Sequence, residues 1–262
     1  MTTYNRNRAS RIIYAMILSV VLSGCATTGM NSLPEEPAMH SISEVSDQRF
    51  VEVYDPWEGF NRSMYRFNFY FDKYLFLPVI ESYEYVTPVF LQDRVSNFYN
   101  NIGEVKTFTN NLFQLKPVDS ITTLARFLTN STLGIGGLFD PATSFGLERN
   151  SQDFGKTLGY WGVASGPYMI LPVLGPSSLR DTGGMAVDSA INYTIYTAIG
   201  PFDNVKYGSA LDIGVTSLGF ADMRHQQSFR YFESGYPFEY YMVRFFYHNK
   251  REIESGRVIE KD

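Results

Sequence analysis

The chain has 262 residues and a formal net charge of −5 at pH 7. An acidic chain lacks the basic surface on which nucleic-acid binding depends, so we expect no nucleic-acid partner. Its 21 Phe and 19 Tyr residues are suited to protein cores and membrane interfaces.

Residues 1–24 have the pattern of a secretory signal peptide. Three arginines precede an apolar run over 12–22, which has signal-peptide length and is too short to cross a bilayer as a mature helix. The Leu-Ser-Gly-Cys sequence that ends at Cys25 then resembles the lipobox of bacterial lipoproteins. This resemblance implies that Cys25, the single cysteine of the chain, is a lipid-modified N-terminus held by several acyl chains.

Residues 25–54 are predicted to form a flexible tether, because they are rich in Thr, Ser, Pro and Glu and lack hydrophobic periodicity. A coil of this length spans roughly 30 Å, enough for the folded part to lie beside the membrane. Ala26 follows the cysteine, where an aspartate commonly signals retention at the inner membrane. The lipoprotein resemblance therefore implies delivery to the outer membrane.

The first helix is predicted to begin near Asp55, with Asp55 as its N-cap, Pro56 at the first helical position and Glu58 completing a capping box. One apolar stripe can face a protein core, and a second one needs more protein, a partner or lipid. Winding the helix at about 100° per residue gives two nearly opposite stripes, Phe60, Met64, Phe67, Phe71 and Leu75 on one side and Tyr65, Phe69 and Phe76 on the other.

Amphipathic segments continue along the chain and predict a mainly α fold over 55–251. Thr87 and Pro88 are expected to begin a helix that ends at Gly103, and two further helices flank Lys116-Pro117. Others are expected over 205–232 and 237–251. Neither a long period-two alternation nor a strand-helix-strand rhythm is present. The charged end, 252–262, is predicted to be a disordered tail.

Two Gly-rich or Pro-rich apolar segments interrupt the helices. The first, 133–141, lacks the frame of a phosphate-binding loop, so a tight turn or close helix packing is predicted. The second, 161–176, is either a buried structural loop or the lining of a cavity at membrane depth. Arg180 and Asp181 follow it and are interpreted as an exposed ion pair.

Taken together, these motifs resemble the MlaA family, also called VacJ, of outer-membrane lipoproteins. The motifs occur in the family's order. The last third is looser, with Phe238-Glu239 where an Asp-Pro is usual, and earlier in the chain Val105 replaces a common proline after Glu104. The matching residues lie within 55–68, 97–101, 126–141, 154–168, 171–177 and 180–181.

The resemblance implies a ring-like bundle of amphipathic helices in the periplasmic leaflet of the outer membrane, around a central channel with a Gly/Pro-rich hairpin loop. It implies that phospholipids misplaced in the outer leaflet pass through this channel to a soluble periplasmic carrier, which maintains lipid asymmetry. It also implies a trimeric porin as a neighbour. No metal, cofactor or catalytic residue is expected, because the serine of 162–166 is displaced from the G-x-S-x-G position and no HExxH motif is present.

Candidate site residues follow from the resemblance and from the unusual segment 161–176. Asn68 and Phe69 of the first helix are expected to support the ring, and Cys25 to carry the lipid. An alternative remains open at this point, namely a structural or porin-binding outer-membrane lipoprotein without lipid transport. The expected pore-loop residues are Gly162, Gly166, Pro167, Tyr168, Leu171 and Pro172.

Overall fold

The computed structural model describes residues 53–199 and 208–256. The signal peptide, Cys25 and the tether up to residue 52 lie outside this range, as does 257–262. The described part is mainly helical with one small antiparallel hairpin, which confirms the predicted fold class. The elements are α1 (Glu58–Phe71), a π-helical turn (Asp72–Phe76), α2 (Leu77–Val86), α3 (Val89–Phe113), α4 (Pro117–Thr132), α5 (Pro141–Ser144), α6 (Phe154–Tyr160), β1 (Tyr168–Leu171), β2 (Gly175–Ser178), α7 (Leu179–Ile199), α8 (Gly208–His225) and α9 (Glu239–Glu254).

Helix α1 begins later than predicted and without the predicted cap. Trp57 occupies the N-cap position and no side chain caps the helix. Asp55 instead accepts hydrogen bonds from the Tyr240 hydroxyl and from Arg244, whose guanidinium lies 3.0 Å away. A buried tertiary ion pair has therefore replaced the local cap.

Helix α3 runs through Gly103, so the predicted break there is wrong. Pro88 is the residue before α3, and Thr87 is the C-cap residue after α2. Gly103 costs a helix about 1 kcal/mol relative to Ala, but its neighbours Asn101 and Glu104 are buried. Helix α3 packs lengthwise against α4, and this tertiary contact outweighs the local propensity.

The Gly-rich segment after α4 forms a tight turn, as predicted. Gly136 and Gly137 have φ angles of 69° and 90°, which favour glycine. At Gly137, a Cβ atom would lie 2.6 Å from the Asn101 side chain of α3. This position therefore needs glycine for its backbone conformation and for the close approach of α3.

The apolar core is small and lies where α1, the hairpin and α9 meet. Tyr65 is fully buried at its centre, with edge-to-face ring contacts to Tyr231 at 4.9 Å and to Phe232 at 5.3 Å. Contacts of this kind contribute about 0.5–1.5 kcal/mol each beyond area burial. The buried members are Val53, Tyr65, Phe69, Tyr168, Ile170, Phe232, Tyr240 and Tyr241.

Both predicted ends of the folded domain need correction. Val53 belongs to the core, and the Tyr54 carbonyl accepts a hydrogen bond from the Tyr168 amide, so the order begins before residue 55. At the other end, α9 continues to Glu254, within the predicted tail. Glu252 is buried, and its carboxylate accepts hydrogen bonds from Ser165 and Arg180. These distant partners hold residues that look like a solvated charged end in the sequence.

Candidate functional site

Asn61 of α1 fixes one end of the hairpin, which we define as residues 168–178. Its side chain is fully buried. The amide nitrogen donates to the Tyr168 carbonyl at 3.0 Å, and the amide oxygen accepts from the Ile170 backbone N–H at 2.8 Å. An asparagine side chain offers one acceptor and two donor hydrogens, so it can satisfy the outer edge of β1 as a neighbouring strand would.

Asn68 makes the same kind of contact two helical turns further along α1. Its amide nitrogen donates to the Leu171 carbonyl at 2.9 Å, and its oxygen accepts from the Val173 N–H at 2.7 Å. Two turns of helix advance about 10.5 Å, and three strand residues advance about 10 Å. The two asparagines therefore match β1 in spacing and hold the whole hairpin on α1.

The predicted pore-loop residues are divided between the hairpin and the segment before it. Tyr168 is buried in the core, Leu171 is half-buried at the end of β1, and Pro172 is exposed in the hairpin turn. Gly162 and Gly166 are exposed before β1, with φ angles of 91° and 68°. Pro167, which directly precedes β1, is half-buried.

The predicted supports of the ring, Asn68 and Phe69, have separate roles in the fold. Asn68 contacts the hairpin, and Phe69 lies in the core with its ring 5.0 Å from that of Phe232. Cys25 lies outside the described residues. The structure thus brings Asn68 together with Leu171, but it keeps Gly162 and Gly166 off the hairpin strands.

A cavity of about 50 Å³ lies beside the hairpin turn. Asn68, Val173 and Leu174 contribute to its wall, together with a buried ion pair between Asp72 and Arg224. Both guanidinium–carboxylate contacts of this pair measure 2.7 Å. Paired, bidentate charges of this kind are rigid, so they fix the position of α8 against the turn that follows α1.

A larger cavity, of about 330 Å³, lies along one face of α7, and we call it the α7 cavity. It mixes charged, polar and apolar side chains, and none of the predicted pore-loop residues lines it. The spacing of its α7 residues is that of a single helical face, the signal by which the sequence could have indicated it. The lining residues are Lys106, Asp153, Pro176, Ser177, Asp181, Met185, Asp188, Ser189, Asn192, Tyr247 and Arg251.

One wall of the α7 cavity is a buried charge network, which corrects the prediction of an exposed Arg180–Asp181 pair. Arg180 and Asp181 are both buried and lie 3.1 Å apart. Arg251 reaches Asp181 at 2.9 Å and Asp153 at 2.7 Å. Burial raises the pKa of Asp153, but the hydrogen bonds and charge of Arg251 outweigh this and lower that pKa to about 2.

Two glycines allow the helices around this network to approach closely. A Cβ atom at Gly184 of α7 would lie 2.3 Å from the backbone of Gly155 in α6. Conversely, a Cβ atom at Gly155 would lie 2.5 Å from the Asp181 carboxylate. Any side chain at either position would push α6 away from α7 and open the network.

Helices α3 and α4 bury polar side chains between them and expose apolar ones, the reverse of the arrangement in a water-soluble helix pair. We call this arrangement an inversion. Arg126 of α4 donates to Glu104 of α3 at 2.9 Å and to Asp140 at 3.1 Å. Arg126 and Glu104 are buried, whereas Asp140 is half-buried. The opposite face of α4 is apolar and exposed. Its exposed members are Val118, Ile121, Leu124 and Leu128.

Helix α1 and the π-helical turn after it have one apolar stripe towards the core and one away from it. Tyr65 and Phe69 lie in the core, whereas Phe60, Phe67 and Leu75 are exposed. The polar residues between the stripes, such as Asn61 and Asn68, are buried with the core stripe rather than exposed, because the hairpin supplies their partners. The predicted second stripe therefore lies outside the core at Phe60, Phe67 and Leu75, whereas its member Met64 packs against the core.

Within the described ranges, every helix is too short or too polar to cross a membrane. The same ranges contain no group of three or more His, Cys, Asp or Glu side chains placed to hold a metal ion.

Comparison with known proteins relates these features to a family. The model of the family described as MlaA lipoprotein matches residues 53–254. An uncharacterised protein of Rickettsia prowazekii is 41% identical over 154 residues, 58% of this chain and 61% of that protein. The Haemophilus influenzae intermembrane phospholipid transport system lipoprotein MlaA is 28% identical, with 97% of each chain covered. Its Escherichia coli namesake is 40% identical over 138 residues, 51% of this chain and 55% of that protein.

A solved structure, from work on the structural basis for maintenance of bacterial outer membrane lipid asymmetry, superposes with a TM-score of 0.57. The two sequences are 30% identical, and the superposition covers 78% of this chain and all of the other. The family match includes α1, the hairpin and α9, the three elements that build the core. The chain therefore belongs to the MlaA lipoprotein family.

Proposed function

We propose that this chain is an outer-membrane lipoprotein that removes mislocalised phospholipids from the outer leaflet and passes them towards the inner membrane. Relatives from Haemophilus influenzae and Escherichia coli carry the name intermembrane phospholipid transport system lipoprotein. Moving a lipid breaks no covalent bond, so this function requires no catalytic residue.

The observation that carries the proposal is the inversion of α3 and α4. Exposing the apolar face of α4 to water would cost roughly 25 cal/mol for each Å², whereas lipid chains remove that cost. Between the helices, polar groups such as Asn111 and Thr123 are buried and bond to each other at 3.0 Å, so the pair needs polar contacts inside and an apolar environment outside. A phospholipid has the same two needs, an apolar environment for its chains and polar contacts for its headgroup.

In this proposal the helices form a ring in the periplasmic leaflet, and the lipid passes through an amphipathic channel. The segment from Gly162 to Pro172 forms the loop beside this path. Asn68 and Phe69 keep the loop in place, since one binds the hairpin and the other anchors α1 in the core. Lipidation of Cys25 holds the folded part at the membrane surface.

A transported lipid needs a donor and an acceptor, so two partners belong to the proposal. A soluble periplasmic carrier would receive the lipid from the channel. A trimeric porin would provide a lateral neighbour for the exposed apolar faces that the leaflet does not cover.

The test is the amount of phospholipid in the outer leaflet of cells that lack this protein. We expect phospholipid to accumulate there, wild type to reverse the accumulation, and Cys25→Ala to fail because the protein is no longer anchored. Accumulation is measured by modification of surface phospholipid with an impermeant reagent. Unchanged surface phospholipid in the deletion strain would refute lipid removal and support a structural or porin-binding role.

A further inference from the structure

Lys106 of α3 is a half-buried cation that lines the α7 cavity. Across 53–199 and 208–256, no acidic side chain lies within ion-pair distance of its ammonium group, and no acceptor lies within hydrogen-bond distance of it. By contrast, the buried guanidinium of Arg126 is paired with Glu104 at 2.9 Å. An uncompensated cation inside a cavity is a ready site for an anion.

Asp188 of α7 is the matching anion on the same cavity wall. Its carboxylate is buried and accepts hydrogen bonds from the Asn110 side chain at 3.0 Å and from the Phe154 amide at 2.9 Å. No cation of the described chain lies within ion-pair distance of it. Two neutral donors leave part of the hydrogen-bonding capacity of a carboxylate unused.

The other charged side chains of the α7 cavity all have ion-pair partners, since Arg180 behind the cavity wall also pairs with Asp181 at 3.1 Å. Arg251 is held between Asp153 and Asp181, so its guanidinium is not available in the way that the Lys106 ammonium is. Met185 and Pro176 add apolar surface to the same wall. The volume of about 330 Å³ lies at the small end of the range for ligand sites, about 300–1,000 Å³. This size suits a headgroup rather than a whole lipid.

We propose that the α7 cavity binds the zwitterionic headgroup of a glycerophospholipid, with the phosphodiester at Lys106 and the headgroup ammonium at Asp188. The inference rests on the proposed transport function and adds a selectivity to it. A phosphodiester carries one negative charge and the ammonium one positive charge, so the pair matches the two uncompensated groups. A headgroup without an ammonium leaves Asp188 unpaired.

The experiment measures binding of two lipids to the lipidated, detergent-solubilised protein by native mass spectrometry. The probes are phosphatidylethanolamine and phosphatidylglycerol in matched micelles. We expect Lys106→Gln to weaken phosphatidylethanolamine binding about tenfold, equivalent to about 1.4 kcal/mol, and Lys106→Arg to retain it. We expect Asp188→Asn to reduce the preference for phosphatidylethanolamine over phosphatidylglycerol.

The matched control is Lys250→Gln, since Lys250 is an exposed lysine of α9 whose contact with Glu254 is long, at 3.8 Å. It removes the same charge outside the cavity and should leave both affinities unchanged. Thermal unfolding of Lys106→Gln should match wild type, because its ammonium supports no contact in the described fold. A folded Lys106→Gln protein with wild-type affinities would overturn the site.

Three further outcomes distinguish failure of the site from failure of the function. If inorganic phosphate displaces the lipid at equal concentration, the site is one for free phosphate and the headgroup inference is wrong. If wild type restores outer-leaflet asymmetry in cells and Lys106→Gln restores it with the same lipid selectivity, transport stands and the site is refuted. If wild type neither binds phospholipid nor restores asymmetry, both inferences are wrong.

Discussion

Asn68→Ala should release the hairpin turn from α1. The substitution removes a donor to the Leu171 carbonyl and an acceptor for the Val173 N–H, at 2.9 and 2.7 Å. Asn68 is only 2% exposed. A buried group left without a partner costs about 1–3 kcal/mol, so two such groups cost about 2–6 kcal/mol if both stay dry.

The lower limit of this range applies to the hairpin turn. Leu171 is half-buried, and Val173 is 37% exposed. Water can therefore reach both freed groups after a small movement. We expect a local loss of about 2 kcal/mol, which corresponds to roughly thirtyfold faster hydrogen exchange at the Val173 amide.

Hydrogen exchange followed by mass spectrometry, on peptides that cover β1 and the turn, measures this change. Asn97→Ala is the matched control, because its single hydrogen bond, to the Leu138 carbonyl, is exposed and long at 3.3 Å. Exchange in the hairpin should be unchanged in that control. If Asn68→Ala leaves the Val173 amide as protected as in wild type, the asparagine contacts do not hold the hairpin.

Three further substitutions test other parts of the structure. Gly166→Val should impair lipid removal while export and lipidation persist, because the φ angle of 68° is strained for a β-branched residue and a Cβ would lie 3.4 Å from Leu179. Surface phospholipid labelling measures this. Leu128→Lys should reduce the membrane-bound fraction in liposome flotation without changing unfolding in detergent, because the residue lies on the exposed face of α4. Asp153→Asn should remove the stabilisation that Arg251 provides, and wild type should lose it as the pH falls from about 4 towards 2, since the folded-state pKa is about 2 against an ordinary 3.8. Thermal unfolding at several pH values measures this.

Gly166→Val requires a control variant, and the other two predictions each have a result that would contradict them. Gly136 cannot supply the control for Gly166→Val, because its φ angle is also positive. Gly183 is the better control position, since it is helical and has open space around its Cβ position. Gly183→Ala should therefore transport normally. Wild-type flotation of Leu128→Lys would show that α4 does not contact lipid. If Asp153→Asn loses stability below pH 4 as steeply as wild type, protonation of Asp153 does not cause the loss of stability in acid.

Local patterns predicted the helical class and the two apolar stripes of α1, because hydrophobic periodicity depends only on residues that are close in the sequence. They failed at positions with distant partners. Asp55 looks like an N-cap in sequence, yet its partner Arg244 is 189 residues away. Arg180 looks exposed, yet Glu252 lies 3.0 Å from it in the fold.

The candidate site was harder to predict than the fold. The segment 161–176 stood out by composition, and the structure places a hairpin at its end. The α7 cavity did not stand out, because Lys106 and Asp188 belong to different helices and each resembles an ordinary polar residue of an amphipathic helix. Only the packing of α3 against the region of α6 and α7 brings them into one cavity.

The paired contacts of Asn61 and Asn68 have a consequence for the length of α1. One residue inserted or deleted between them would turn the second amide by about 100° around the helix and shift it by about 1.5 Å. The Leu171 carbonyl and the Val173 N–H would then lose their partner even though every original side chain was still present. We therefore expect natural variants to tolerate substitutions on the outer face of α1 between these two asparagines. The number of residues between the asparagines should stay the same.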